Sequence, residues 1–229
     1  MASLDQSLKR MNLDYVDLFY SHRYDPNTPL EETLQAMVDI VKQGKALYLG
    51  ISRWPLEALK FADKYLKERD CPLLIYQGRL NMLDRSPQEE GILDYCHEHG
   101  IGFISFSPLA QGLLTDRYLN GIPADSRMAK EHFLKHSALT PELLEQLKEW
   151  NKQAGERGET LAEMALAWIL AQRGVTSVLV GASSTAQLEK NMKCVHAKAF
   201  SISRLYKNKC LSLQPANINR HLYKRGFTL

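Results

Sequence analysis

The feature that most constrains this chain is an alternation. Five short runs, residues 15–21, 46–51, 73–77, 101–105 and 177–180, are apolar at most positions, and each is followed by a turn and then by helical apolar spacing. Strands of that composition are covered on both faces, and helix-length connections between them make consecutive strands parallel. The pattern therefore predicts an α/β fold with a parallel sheet in chain order. It does not say whether the sheet closes on itself.

Local punctuation supports each unit. Thr28-Pro29-Leu30-Glu31 reads as a cap, a proline at the first helical position and a capping-box acid, opening a helix to about residue 43 that buries Leu34, Met37, Val38 and Val41, with Gly44 ending it. Ser52-Arg53-Trp54-Pro55 turns into a helix carrying Leu59, Phe61, Ala62 and Leu66. Ser86-Pro87-Gln88-Glu89 repeats the cap, proline and glutamate order and predicts one helix to about residue 99. Residues 115–139 lack a steady period and read as a long surface loop or lid. Thr140-Pro141-Glu142 opens another helix, closed by Gly155 and Gly158, and Thr160 with Glu163 caps the next one, which is strongly apolar.

With 229 residues and 45% apolar content the chain can bury a core as one domain. Its formal charge of +3 is uneven: residues 196–229 hold seven Lys or Arg and no Asp or Glu, so the body before them is net acidic. The division expected is a folded part over residues 1–195 and a basic, irregular tail over 196–229. Basic and aromatic residues interleave in that tail, a pattern that single-stranded nucleic acid can use, although a nucleic-acid partner is not the expectation. The four cysteines are too scattered for a disulfide framework, the N-terminus lacks an apolar leader core, and the longest apolar run, residues 164–171, is far below the ~20 residues that span a bilayer. A cytoplasmic protein with no membrane partner is expected.

Chemistry concentrates where the strands end. Residues 14–22, DYVDLFYSH, deliver Ser21 and His22 at the close of an apolar run. Ser107-Pro108-Leu109-Ala110-Gln111-Gly112 follows the fourth run directly. After the fifth, Gly181-Ala182-Ser183-Ser184, with Gln187 three residues on, can either present backbone N–H groups to an anion or make an ordinary capped turn. No Walker loop or Gly-x-Gly-x-x-Gly follows any strand. Cys96-His97-Glu98-His99, and His132 with His136, lack companion ligands at metal-binding spacing, so no metal is expected.

These motifs in this order resemble the aldo-keto reductases. The resemblance is taken to span roughly residues 3–195 and to correspond to the C-terminal portion of that family only. It implies an incomplete (β/α)8 barrel lacking the first three strand units, NADPH as cofactor, and small aldehydes or ketones as substrates. His22 would be the catalytic histidine. Ser52, Arg53 and Gln77 would hold the nicotinamide carboxamide, with Arg53 where the family usually has Asn. Phe106 would stack on the nicotinamide ring in place of the usual Tyr, and Ser107, Leu109 and Gly112 would cover the pyrophosphate. Gly181, Ser183, Ser184, Gln187 and Asn191 would hold the adenosine phosphate end. Within the family, His22-Arg23, Asn27-Thr28-Pro29-Leu30-Glu31-Glu32-Thr33 and Gly181-Ala182-Ser183 most resemble bacterial glyceraldehyde-3-phosphate reductases and potassium-channel β subunits.

The family's proton donor is a tyrosine supported by a lysine and an aspartate, all upstream of the histidine segment, and only thirteen residues precede Asp14 here. The expectation is cofactor binding, weakened or lost, without turnover. The alternatives are a noncatalytic cofactor-sensing or subunit-binding module and a soluble interaction protein with a basic, nucleic-acid-binding tail. Open barrel edges would favour a homo-oligomer or a covering partner.

Overall fold

A computed structural model describes residues 2–131 and 134–200. The described residues divide into two compact units, one made of residues 2–79, 85–106 and 173–177, the other of residues 80–84, 107–131, 134–172 and 178–200.

The first unit holds the sheet. Helix α1 (Ala2–Met11) buries Leu4 and Leu8, one turn apart, against Ile40 and Ala46. Strand β1 (Val16–Ser21) leads through a turn to α2 (Leu30–Lys42), then come β2 (Ala46–Ser52), α3 (Leu56–Lys67), β3 (Leu73–Arg79), α4 (Ser86–Glu89), α5 (Ile92–Glu98) and β4 (Gly102–Phe106). Strands β1 to β4 pair in parallel, with Val16 opposite Ala46, Ser52 opposite Gln77 and Gly78 opposite Ser105. With β5 (Val175–Val178) the order is β1-β2-β3-β4-β5, the order of the chain. This is an α/β fold, an incomplete (β/α)8 barrel with several strands fewer than closure needs.

Several local expectations shift, each for a visible reason. Thr28 does not cap α2, because its hydroxyl donates to Asp25 Oδ2 at 2.7 Å; Asn27 N–H donates to the other oxygen, and Pro29 takes the capping position. The buried face of α2 includes Ile40, while Val41 is half-buried. The single helix read over residues 86–99 is split at Gly91, whose φ of 76° ends α4 and starts α5. Strand β5 starts two residues earlier than its apolar run suggests. Gly174 turns there with φ 93°, against Leu93 O and His97 Cβ, and Thr176 Oγ1 then accepts from Phe103 N–H at 3.2 Å. Two glycines admit aromatic rings: a Cβ on Gly50 would lie 2.6 Å from Tyr20, and one on Gly78 would lie 2.5 Å from Phe103.

The strands are not covered throughout. Leu47 and Tyr48 on β2 are each 50% exposed and Leu74 on β3 is 43% exposed, although composition alone reads these positions as buried.

The second unit is built on α6 (Pro141–Arg157), α7 (Leu161–Leu170) and α8 (Thr185–Met192). Thr140 caps α6 by accepting from Leu143 N–H, and Gly158 ends it in the left-handed region. Thr160 and Glu163 form a full capping box on α7, whose Leu161, Met164, Ala165, Leu166, Trp168 and Ile169 are buried. The described part of 115–139 carries only short 3₁₀ turns, as a loop should. Among the described residues no helix is long and apolar enough to cross a membrane.

Candidate functional site

In the first unit, the residues singled out by the sequence stand at strand C-termini. His22 immediately follows β1 and is exposed. Ser52 ends β2, is buried, and donates its hydroxyl to the Gln77 carbonyl at 3.0 Å. Arg53 follows with φ 57°, a left-handed conformation that is uncommon for a residue with a side chain. Its N–H also donates to Gln77 O, at 3.2 Å, so one carbonyl on β3 receives two donors from the end of β2. Those two hydrogen bonds fix the turn between β2 and α3 and hold Ser52 and Gln77 side by side. Phe106 closes β4, half-buried. Trp54, beside Arg53, is buried, accepts from Tyr76 O–H at 2.7 Å through its carbonyl, and has no partner for its indole N–H.

Burial pushes the Tyr20 hydroxyl above the ordinary tyrosine range. Tyr20 is on β1, two residues before His22. Behind the sheet, Asp63 on α3 accepts from Tyr95 O–H at 3.0 Å and lies 3.0 Å from His99 Nδ1 and from Lys67 Nζ. Cys96 is fully buried beside it, and burial first, then the Asp63 charge, pushes its thiol up to about 12. His99 is thus a partner of a buried carboxylate. Among the described residues no group of three His, Cys, Asp or Glu could hold a metal; His132 lies outside them.

In the second unit the loop after β4 is tightly wound. Ser107, Ala110 and Gln111 all have positive φ, at 51°, 46° and 61°, and Gly112 follows at 101°. Asn81 Nδ2 donates to Ser107 O at 3.0 Å while Asn81 Oδ1 accepts from the backbone N–H groups of Leu83 and Asp84, which ties two loops together. Leu109 O accepts from Gly112 N–H and Leu114 N–H, and Gly112 O accepts from the Thr115 hydroxyl. Three consecutive positive-φ residues, Ala110, Gln111 and Gly112, make this loop the sharpest turn after β4.

The segment from Gly181 to Asn191 behaves in two ways. Ser184 is the N-cap of α8, accepting from Gln187 N–H, and Gln187 Oε1 accepts from both the N–H and the hydroxyl of Ser183. The capped-turn reading of this junction is therefore realised, and Gly181, Ser183, Ser184 and Gln187 are all exposed on it. Asn191 is different: it is 4% exposed, and its Nδ2 has no partner among the described residues. A buried amide donor left unpaired costs about 1–3 kcal/mol, so an acceptor brought within its reach, from water or from a ligand, would be favoured. The residues present are therefore chemically compatible with an adenosine-bearing cofactor in this unit.

The family model described as "Aldo/keto reductase family" matches residues 1–206. The chain belongs to the aldo/keto reductase family. It is 50% identical over 210 residues to the L-glyceraldehyde 3-phosphate reductase of Escherichia coli (strain K12), an alignment covering 90% of this chain and 60% of that protein. It is 39% identical over 193 residues to a probable voltage-gated potassium channel subunit beta of Arabidopsis thaliana, covering 82% of this chain and 59% of the relative. Its fold matches the crystal structure of the thermostable aldo-keto reductase Tm1743 with the inhibitor epalrestat at a TM-score of 0.68 and 27% identity, over 91% of this chain and 64% of that one. The chain thus spans about 60% of the length of the curated relatives it matches.

These matches correct the extent read from the sequence. The resemblance is not a C-terminal segment confined to residues 3–195; it takes in nearly the whole chain and continues to residue 206. Pattern reading stopped at residue 195 because the stretch beyond it has no acidic residue and no helical period. The structure shows what that stretch has instead: Lys198 and Phe200 are held by side chains of the aldo/keto reductase core, Arg157 and Glu159. Sequence reading missed those two, having taken the Arg-Gly-Glu step only as a helix end. An acid and a base flanking a helix-ending glycine was the available signal. Residues 201–229, with most of the basic tail, lie outside the described residues.

Proposed function

We propose that this chain binds NADPH in the manner of an aldo/keto reductase, and that its 229 residues by themselves do not reduce aldehydes. Ser52, Arg53 and Gln77 would hold the carboxamide, Phe106 would lie against the nicotinamide ring, Ser107, Leu109 and Gly112 would wrap the pyrophosphate, and Gly181, Ser183, Ser184, Gln187 and Asn191 would hold the adenosine phosphate. The bound nicotinamide would supply hydride to a small aldehyde or ketone. The observation that carries the cofactor reading is the unpaired, buried amide of Asn191. Family membership and 50% identity to a protein named for glyceraldehyde 3-phosphate reduction support the substrate class.

His22 would polarise the carbonyl oxygen as negative charge grows on it, which stabilises the transition state more than the ground state. Reduction also needs a proton at that oxygen. Tyr20 is the tyrosine nearest in sequence on β1, but burial raises its pKa, and no lysine lies between Asp14 and Val41 to lower it. Loss of a placed proton donor costs about 10² to 10⁴ in rate. The test is calorimetric titration of the chain with NADPH, alongside Asn191→Ala. Saturable binding that weakens in the variant supports the reading; equal affinity in both removes its basis.

A second reading is a noncatalytic subunit whose uncovered sheet meets a partner or a second copy. The exposed Leu47, Tyr48 and Leu74 favour it, as does the likeness to potassium channel β subunits. A concentration-independent monomer in sedimentation would remove the second copy, leaving only a different partner.

A further inference from the structure

In the second unit, α6 ends at Arg157, Gly158 turns in the left-handed region with φ 76°, and Glu159 leads to the capped start of α7. The turn sets an acid and a base side by side. Arg157 Nε donates to Glu159 Oε2 at 2.8 Å and Arg157 Nη2 donates to Oε1 at 3.1 Å, a two-pronged pair in which each residue's side chain is only 8% exposed. Neither charge is spent on the other alone. Glu159 Oε1 also accepts from the backbone N–H of Lys198 at 2.9 Å, and Arg157 Nη2 donates to the backbone carbonyl of the same residue. The guanidinium then lies 4.1 Å over the ring of Phe200. The pair grips both polar groups of one peptide residue and the face of an aromatic two residues on. The Lys198 side chain takes no part in those bonds.

What is gripped is the end of a short strap. Helix α8 runs from Thr185 to Met192, a 3₁₀ turn (Lys193–His196) follows without a break, and residues 197–200 continue into the clasp. The 3₁₀ turn packs on both α7 and α8. Asn191, with its buried unpaired amide, is on the last turn of α8, seven residues before Lys198. The eight residues of α8 are too few to be stable alone, and Gly181 to Gln187 at its other end is exposed. The clasp is a buried, charge-assisted anchor on the other side of Asn191.

We infer that Arg157 and Glu159 are positioning residues for the adenosine end of the cofactor, holding α8, and with it Asn191, by clasping the main chain of Lys198. They touch no ligand themselves. This deepens the proposed cofactor reading and rests on it. A hydrogen bond from Asn191 survives only while its donor stays about 2.7–3.2 Å from the acceptor, and the clasp sets that placement from the junction of α6 and α7. The clasp reads backbone, so it tolerates any residue at 198 except proline, whose missing N–H leaves Glu159 without its bond.

Two variants outside the core test this without touching Asn191: Lys198→Pro, which removes the N–H given to Glu159, and Phe200→Ala, which removes the ring under Arg157. Arg157→Ala and Arg157→Lys complete the set, the lysine being unable to give two parallel bonds. Two quantities are read on the whole chain. One is amide hydrogen exchange over residues 185–192 without ligand. The other is affinity for two cofactor fragments, adenosine 2′,5′-bisphosphate and nicotinamide mononucleotide. Expected are faster exchange in α8, affinity for the adenosine fragment about three- to tenfold weaker, unchanged affinity for the nicotinamide fragment, and partial recovery in Arg157→Lys relative to Arg157→Ala. A purely structural role would weaken both fragments together or neither, and either result overturns the proposal. Unchanged exchange over 185–192 overturns it as well. A wild-type chain that binds no adenosine fragment defeats the cofactor reading; the clasp's hold on α8 then stands or falls on exchange alone.

Discussion

Replacing Asp63 by alanine should unfasten α3 from α5 behind the sheet. The carboxylate is 3% exposed and lies within 3.0 Å of Tyr95 Oη, His99 Nδ1 and Lys67 Nζ. These contacts are not worth equal amounts. Lys67 and His99 have side chains 47% and 40% exposed, so solvent screens them and together they contribute about 1 kcal/mol. The Tyr95 hydroxyl donates to a buried charge, a bond worth about 1.5–3 kcal/mol, and its removal leaves a donor to be rehydrated. The expected loss is ~3 kcal/mol, with Tyr95→Phe costing ~1.5 kcal/mol alone. Urea unfolding followed by tryptophan fluorescence measures it, since Trp54 is 2% exposed and precedes the Pro55 cap of α3. A double-mutant cycle should return a coupling of about 1–2 kcal/mol between Asp63 and Tyr95. Additive single effects, or an Asp63→Ala loss under about 0.5 kcal/mol, would refute the claim that this carboxylate joins the two helices.

Gly50→Ala should destabilise by about 1–3 kcal/mol, because the new methyl meets Tyr20 at 2.6 Å and Ile75 at 3.1 Å; equilibrium unfolding checks it, and Tyr20→Leu should recover part of the loss. Thr160→Ala should cost ~1 kcal/mol by opening the capping box with Glu163, seen as a lower urea midpoint. The Asn27 N–H and the Thr28 hydroxyl hold Asp25 below the ordinary carboxylate range. Its contribution is therefore present above the unfolded-state value of about 4 and fades as pH falls through the lower folded-state value. Unfolding curves of wild type and Asp25→Asn should separate at neutral pH and converge in acid.

Much of the architecture could be read from the chain because each strand run sits between two turn signals, and the order β1 to β5 follows from helix-length crossovers. The capping of α6, α7 and α8 was legible for the same reason: Thr140, Thr160 and Ser184 are local devices that need no distant partner. Thr28 failed because Asp25, three residues away, competes for its hydroxyl, and the split at Gly91 failed because a helical period on both sides hides one left-handed residue. The exposure of Leu47 and Tyr48 was invisible, since composition cannot tell a covered strand from a partly exposed one. At the candidate site, Ser52 and Gln77 came from family likeness, while the shared carbonyl that pairs them is a tertiary fact. The Asp63 hub and the Arg157–Glu159 clasp join residues far apart in the chain, so no local pattern announces them.

The central claim is a cofactor site without a working proton donor. It is tested most directly by mixing the purified chain with NADPH and following cofactor absorbance and fluorescence together, with glyceraldehyde 3-phosphate, methylglyoxal and a nitrobenzaldehyde as acceptors and His22→Ala in parallel. The account predicts a fluorescence change on binding and an absorbance that stays at the rate of the protein-free control in both proteins. Steady oxidation of NADPH by the wild-type chain that disappears in His22→Ala would contradict it, and would mean that these residues carry an acid able to protonate the alkoxide.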